Sequence, residues 1–227
     1  TKMDTDIREV FKSLNLDYDG YIRNLEWIFG GKDYNGKKLL DIGCGNGAMA
    51  NLLSKKYNCF VTAIDPYKDA QNEEAINRAL KETLSTNVTI IKTRIENFQS
   101  MEKFDYCYMI DALHHVVYAE DEIKADSLVF EKLVTLFYKI SILLVRNGKI
   151  IIKDVKPVTP ENVFYKTVMA DKFLSKVRWS TKHNPEEYID ALELVGFKNI
   201  KTFPQYHPRS LAKSENDYFK YVITGEN

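Results

Sequence analysis

Residues 39–47 read Leu-Leu-Asp-Ile-Gly-Cys-Gly-Asn-Gly: an acid inside a short apolar run, then three glycines at alternate positions. Glycine lacks Cβ, so a turn built from it lets backbone N–H groups press against a bound ligand. Ala48, Met49, Leu52 and Leu53 follow at helical spacing. A strand that turns through glycine into a helix delivers a ligand to that helix's N-terminus, at the carboxyl edge of a sheet where doubly wound folds hold nucleotides. The chemistry expected here is that of a nucleotide-type cofactor. A second run, Phe104-Asp105-Tyr106-Cys107-Tyr108-Met109-Ile110-Asp111-Ala112-Leu113-His114-His115-Val116, ends a strand in an acid and two histidines. Histidine changes charge near neutral pH, which makes His114 and His115 the candidates for a general base.

The elements that must position these residues are legible in the periodicity. Residues 4–16 and 20–30 read as helices, with Ile7, Val10, Phe11 and Leu14, then Tyr21, Leu25 and Ile28, at helical spacing. Strands are predicted at 38–42, 60–64, 88–92, 104–110, 149–153, 198–203 and 218–224. Helices are predicted from the glycine turn to about Tyr57, over 69–84, over 121–145 with Arg146-Asn147-Gly148 as its stop, and over 185–195 with Gly196 as C-cap. Strand and helix alternate from residue 38 onward, which argues for an α/β fold whose mostly parallel seven-stranded sheet is covered on both faces. The short gap between the last two strands suits an antiparallel hairpin at one edge. Residues 155–184 break the rhythm with Pro157, Pro160, Phe164, Tyr165, Phe173 and Trp179. They read as an insertion on the substrate side, either an apolar acceptor pocket or a helix packed on the domain.

Composition bounds the rest. With 227 residues the chain suits one domain, divided as an N-terminal helical cover (1–36), a cofactor-binding core (37–154), the insertion (155–184) and a C-terminal helix with edge strands (185–227). Lys+Arg and Asp+Glu balance at 32 each, which argues against a nucleic-acid partner. No apolar run approaches the ~20 residues of a membrane span. The polar start, Thr1-Lys2-Met3-Asp4, has no signal-peptide pattern. Cys44, Cys59 and Cys107 have no metal-ligand spacing and read as reduced thiols of a cytoplasmic protein, with no metal site.

The glycine turn by itself fits two cofactors. Gly43, Gly45 and Ala48 satisfy the dinucleotide pattern G-x-G-x-x-G/A, and Asp65 stands about 20 residues on, where that fold places a ribose-binding acid. A nicotinamide- or flavin-dependent oxidoreductase is one reading. Three features point elsewhere: Asp41 precedes the first glycine by two residues, two helices precede the glycine strand, and the 104–116 run ends the fourth strand. Together these resemble the class I S-adenosylmethionine-dependent methyltransferases, from about residue 38 to 154.

That resemblance implies a Rossmann-like fold and S-adenosyl-L-methionine as cofactor, with S-adenosyl-L-homocysteine as product. It implies that Gly43, Cys44, Gly45 and Gly47 make room for the methionine part and that Asp41 reaches its ammonium. Asp65 accepts from the ribose hydroxyls, as a carboxylate can with two oxygens. Pro66 and Tyr67 lie along the adenine, Asp111 and Ala112 beside the methionine chain. After the third strand the family often carries an acid for the adenine amino group; Arg94 stands there instead, leaving Ile95 backbone or Glu96 to serve. The acceptor implied is a small molecule, methylated at O or N, with His114 favoured over His115 as base; the alternative is that the histidines pack against the sheet. The chain has neither an Asn-Pro-Pro-Tyr motif nor a Pro-Cys pair at this strand end, features of nucleic-acid amine and cytosine-C5 methylators. An RNA or protein acceptor, and a non-catalytic cofactor-binding module, are the remaining alternatives. Aromatic Tyr18, Tyr21 and Trp27 are expected either over the cofactor or in the core; His183, ahead of the Asn184-Pro185 helix start, is expected to cap or lie at the surface, or else to face substrate, and His207 is the remaining histidine.

Overall fold

The strands assemble in the order β3-β2-β1-β4-β5-β7-β6 in a computed structural model that describes residues 2–66, 70–84, 86–117, 126–156, 184–205 and 220–227. The chain runs α1 (Lys2–Ser13), α2 (Tyr18–Phe29), β1 (Lys38–Ile42), α3 (Ala48–Tyr57), β2 (Phe60–Asp65), α4 (Ala70–Leu84), β3 (Val88–Lys92) and β4 (Phe104–Ile110). It continues with α5 (Leu113–Val117), α6 (Asp126–Leu143), β5 (Leu144–Val155), α7 (Pro185–Val195), β6 (Lys198–Gln205) and β7 (Lys220–Glu226). Two compact units divide it, Thr1–Tyr108 and Met109–Asn227.

In the first unit β1 pairs in parallel with β2, from Lys38↔Phe60 to Ile42↔Ile64, and with β4, from Leu39↔Tyr106 to Asp41↔Tyr108. β2 pairs in parallel with β3, ending at Asp65↔Lys92. The carboxyl ends of these strands therefore share one edge. Leu39, Leu40 and Ile42 are buried, as expected of a parallel strand covered on both faces. Helix α3 is buried from Ala48 to Ser54 on every side, which explains why its apolar residues form no clean stripe. Asn51 and Ser54 survive there because both are bonded. Asn51 Nδ2 donates to Gly47 O and to Asn77 Oδ1, at 2.9 Å each, and Ser54 Oγ donates to Cys59 O at 2.9 Å. Phe11 of α1 packs edge-on against the half-buried Tyr18 and Tyr21 of α2, joining the two helices.

In the second unit β7 runs antiparallel to both neighbours, from Lys149↔Glu226 to Val155↔Lys220 on β5 and from Lys198↔Glu226 to Gln205↔Lys220 on β6. The last two strands thus form the expected antiparallel edge pair. Helix α7 opens on Asn184 with Pro185 at its first position, where the missing N–H costs nothing. It closes in a Schellman motif: Gly196 (φ 108°) donates to Glu193 O at 3.0 Å and Phe197 to Leu192 O at 3.0 Å.

Two local readings change. Arg146-Asn147-Gly148 does not stop the long helix; α6 already ends at Leu143 and the triplet lies inside β5, with Asn147 at φ 62°. The reason is tertiary. Asn227 accepts from Asn147 N–H at 3.0 Å, donates its own N–H to Gly148 O at 2.8 Å, and its amide donates to Ser141 O at 3.0 Å. Those bonds give the turn-forming triplet strand partners and close the helix early. The histidines also lie on a short helix, Leu113–Val117, and not on the strand itself. The 155–184 insertion, apart from 155, 156 and 184, lies outside the described residues, as do His183 and His207.

Candidate functional site

The glycine turn is built from bonds to β2. Gly43 and Cys44 N–H donate to Ile64 O at 2.8 and 3.2 Å, and Gly45 N–H donates to Asp65 Oδ2 at 3.0 Å. Gly47 N–H donates to Cys44 O at 2.9 Å, and Ala48 N–H to Asn46 Oδ1 at 3.0 Å, an Asx turn that leads into α3. The N–H groups of Gly43 to Gly45 are thus spent within the protein. What the turn offers a ligand is instead a surface free of side chain. A Cβ added at Gly45 would meet nothing within 4 Å. At Gly47 the requirement is internal: φ is +73°, and a Cβ would lie 2.7 Å from Asn77 Oδ1. Asn46 Nδ2 reaches Tyr21 Oη at 3.4 Å, linking the turn to the helical cover.

Two carboxylates flank this turn. Asp41 is buried, and burial is the largest cause that pushes its carboxyl up to about 7; the nearby Asp65 charge adds to the rise and Tyr108 opposes it. The buried Tyr108 hydroxyl lies beside it without closing a hydrogen bond of good geometry. Asp65, at the carboxyl end of β2, is half-buried, and its carbonyl accepts from Thr93 N–H at 3.1 Å, tying the ends of β2 and β3 together. Pro66 is exposed, and Tyr67 lies outside the described residues. In the turn after β3, Ile95 is buried while Arg94 and Glu96 are exposed. Cys44, Cys59 and Cys107 are free thiols; burial pushes Cys59 up to about 11 and Cys107 well above its ordinary range.

In the second unit Asp111 follows β4 at φ 52°, half-exposed, with its N–H donating to Lys153 O at 2.9 Å and its carboxylate paired with the Lys153 ammonium. Ala112 is buried and accepts from His115 N–H at 2.9 Å. His115 is exposed on α5; the His114 side chain lies outside the described residues. Among the described residues no group of three or more His, Cys, Asp or Glu could hold a metal ion, and no helix is long and apolar enough to cross a membrane. Periodicity alone does not single out Lys153; the signal for it is a lysine ending the apolar run Ile150-Ile151-Ile152, where a buried strand carries a cation.

Residues 39–126 match the sequence model of a methyltransferase domain. That stretch is similar to a methyltransferase domain, and the fold is shared with methyltransferases of known structure. Over 94 residues, 40% of this chain and 39% of the relative, the sequence is 29% identical to the ubiquinone biosynthesis O-methyltransferase of Neisseria meningitidis serogroup C (strain 053442). Over 83 residues, 36% of this chain and 23% of the relative, it is 29% identical to the (S)-tetrahydroprotoberberine N-methyltransferase of Eschscholzia californica. The matches span about two fifths or less of these curated relatives. The N-methyltransferase NodS from Bradyrhizobium japonicum WM9, solved with S-adenosyl-L-homocysteine, shares the fold at TM-score 0.59 and 16% identity over 98% of both chains. The strand order agrees with this likeness in fold. Dinucleotide-binding folds run 3-2-1-4-5-6, whereas the sheet here inserts antiparallel β7 between β5 and β6.

The donor set fits S-adenosylmethionine. A buried carboxyl with a raised pKa suits an ammonium, a carboxylate at the end of β2 suits a diol, and Gly45 leaves room for ligand atoms.

Proposed function

We propose that this chain transfers a methyl group from S-adenosylmethionine to an oxygen or nitrogen of a small molecule. The observation that carries the reading is the Gly43–Gly47 turn, open at Gly45 and flanked by the buried carboxyl of Asp41 and by Asp65. When bound, the cofactor supplies a methyl group on a sulfonium, an electrophile that needs no activation by the protein. The protein's tasks are then to bind, orient and, for a hydroxyl acceptor, remove a proton.

In the first unit Asp41 takes the cofactor ammonium and gives up its proton in doing so. Gly43, Cys44, Gly45 and Gly47 line the amino-acid part. Asp65 keeps its bond to Gly45 N–H and uses its remaining lone pairs for the ribose hydroxyls. Pro66 and Tyr67 flank the adenine, with Ile95 and Glu96 at its edge. In the second unit Asp111 and Ala112 serve the methionine chain, and His114 or His115 on α5 accepts the proton of a hydroxyl acceptor. Acceptors at both O and N are supported by the relatives, one an O-methyltransferase and one an N-methyltransferase.

The test is calorimetric titration with S-adenosylhomocysteine and, separately, NADH, on the wild type and Asp65→Ala. Micromolar binding of S-adenosylhomocysteine alone is expected, weakened in the variant by roughly 1–3 kcal/mol, the scale for stranding hydrogen-bonding groups. Binding of NADH alone contradicts the reading, and unchanged affinity in Asp65→Ala removes that residue from the ribose.

A further inference from the structure

Three charged side chains of the second unit converge where β4 and β5 end and β7 begins. Residue 153 holds Asp111 from two sides, through its carbonyl and its ammonium. The Lys153 side chain is 3% exposed and that of Asp111 48%. In the β5–β7 register Lys153 faces Val222 and Val155 faces Lys220, so Lys153 and Lys220 are diagonal neighbours on one face of the sheet. Lys220 is half-buried. Its ammonium is held below the usual lysine range by burial first and by the Lys153 charge second, while Asp111 opposes the shift.

Among the described residues the cluster therefore carries two ammoniums for one carboxylate, and that carboxylate is paired with Lys153. Among the described residues no hydrogen bond or ion pair engages the Lys220 ammonium. Taking a cation even partly out of water is unfavourable unless an anion offsets it. The other face of the same strand is balanced: Asp154 is fully buried and accepts from Tyr188 Oη at 3.1 Å and from Val155 N–H at 2.8 Å, under α7. Among the described residues the Lys220 side has no equivalent buried anion.

We propose that Lys220, backed by the Lys153–Asp111 pair, is the subsite for an anionic group, a carboxylate or phosphate, on the methyl acceptor. That the anion belongs to a methyl acceptor rests on the function proposed above; the anion subsite rests on these three side chains. Ligands of open α/β sheets bind at this carboxyl edge, and a charge-assisted contact there orients one end of the acceptor.

The experiment titrates the full chain at constant ionic strength and near neutral pH with inorganic phosphate and, separately, acetate, with and without saturating S-adenosylhomocysteine. Heat and the ¹³Cε shifts of labelled lysines are read. Saturable binding of at least one anion is expected, with the Lys220 resonance moving. Lys220→Gln weakens it about tenfold or more, Lys220→Arg retains it, and Lys198→Gln, which removes an exposed charge from β6, leaves it unchanged. The lysine shift in the unsubstituted protein keeps the test valid if a variant fails to fold. Absence of saturable binding, or equal affinity in Lys220→Gln, overturns the proposal. Loss of S-adenosylhomocysteine binding, with phosphate still bound through Lys220, overturns the methyl-transfer reading and leaves the anion subsite standing.

Discussion

Asp41 and Asp111 are two carboxylates carried by or just beyond strands that end on the ligand edge of a sheet, and they are handled in opposite ways. Asp41 is buried with no cation among its described partners, and its carboxyl is pushed up to about 7. Asp111 keeps half its surface in water and has a buried lysine as partner. A buried acid without a partner destabilises the protein and is ready to receive a positive ligand. A paired acid has already spent its charge and acts by position. The first arrangement is how a site binds; the second is how a site is held in shape.

The sharpest way to break that contrast is Asp41→Asn. A carboxyl whose folded-state pKa lies above its unfolded value of 3.8 binds more protons folded than unfolded between about pH 4 and 7. Stability therefore falls as pH rises through that window and stays low above it. Removing the charge should raise stability above neutral pH by roughly 2–4 kcal/mol, since each tenfold change in an acid constant between folded and unfolded chain is worth about 1.4 kcal/mol. The same variant should bind S-adenosylhomocysteine far more weakly. Thermal melting at acid and alkaline pH beside calorimetry checks both; a variant that is no more stable at alkaline pH than wild type contradicts the burial argument.

Asp111→Ala tests the other side. It strands the Lys153 ammonium, and loss of one partner of a buried pair costs about 3–5 kcal/mol when both are enclosed. Asp111 is half-exposed, so solvent screening lowers the expectation to about 2 kcal/mol in urea denaturation, with Asp111→Glu recovering part of it. An unchanged midpoint would mean that Lys153 is not held by this contact. A comparable effect should follow Gly47→Ala, where a positive φ and the Asn77 amide both oppose a side chain: about 1–3 kcal/mol of stability. Gly45→Ala separates binding from folding, since its Cβ enters open space: strain remains, and S-adenosylhomocysteine affinity should fall by more than the stability does.

The first unit was more legible in the sequence than the second, for a physical reason. Glycine positions, the alternation of strands and helices, and a carboxylate after β2 are local features, and they place the turn and Asp65 without knowledge of contacts. The state of Asp41 is not local. Leu39, Leu40 and Ile42 imply burial, but Tyr108 comes from β4 and Asp65 from β2. The second unit depends on pairing across the chain. Lys153 meets Asp111 across 42 residues of sequence, and α6 ends where it does because Asn227 reaches Ser141. Neither partner can be read from spacing. The Arg146-Asn147-Gly148 triplet shows the same limit: its turn chemistry was visible, but its role was decided by strand pairing.

The most direct test of the central claim is calorimetric titration with S-adenosylhomocysteine at about pH 6 and about pH 8, in buffers of differing ionisation enthalpy. A site built on Asp41 with a pKa of about 7 must release a proton to accept an ammonium, so affinity should be about tenfold tighter at the higher pH, with proton release near the lower one. Binding that is absent, or that is equally tight at both pH values with no proton exchanged, would contradict the assignment of Asp41 and the glycine turn to this cofactor.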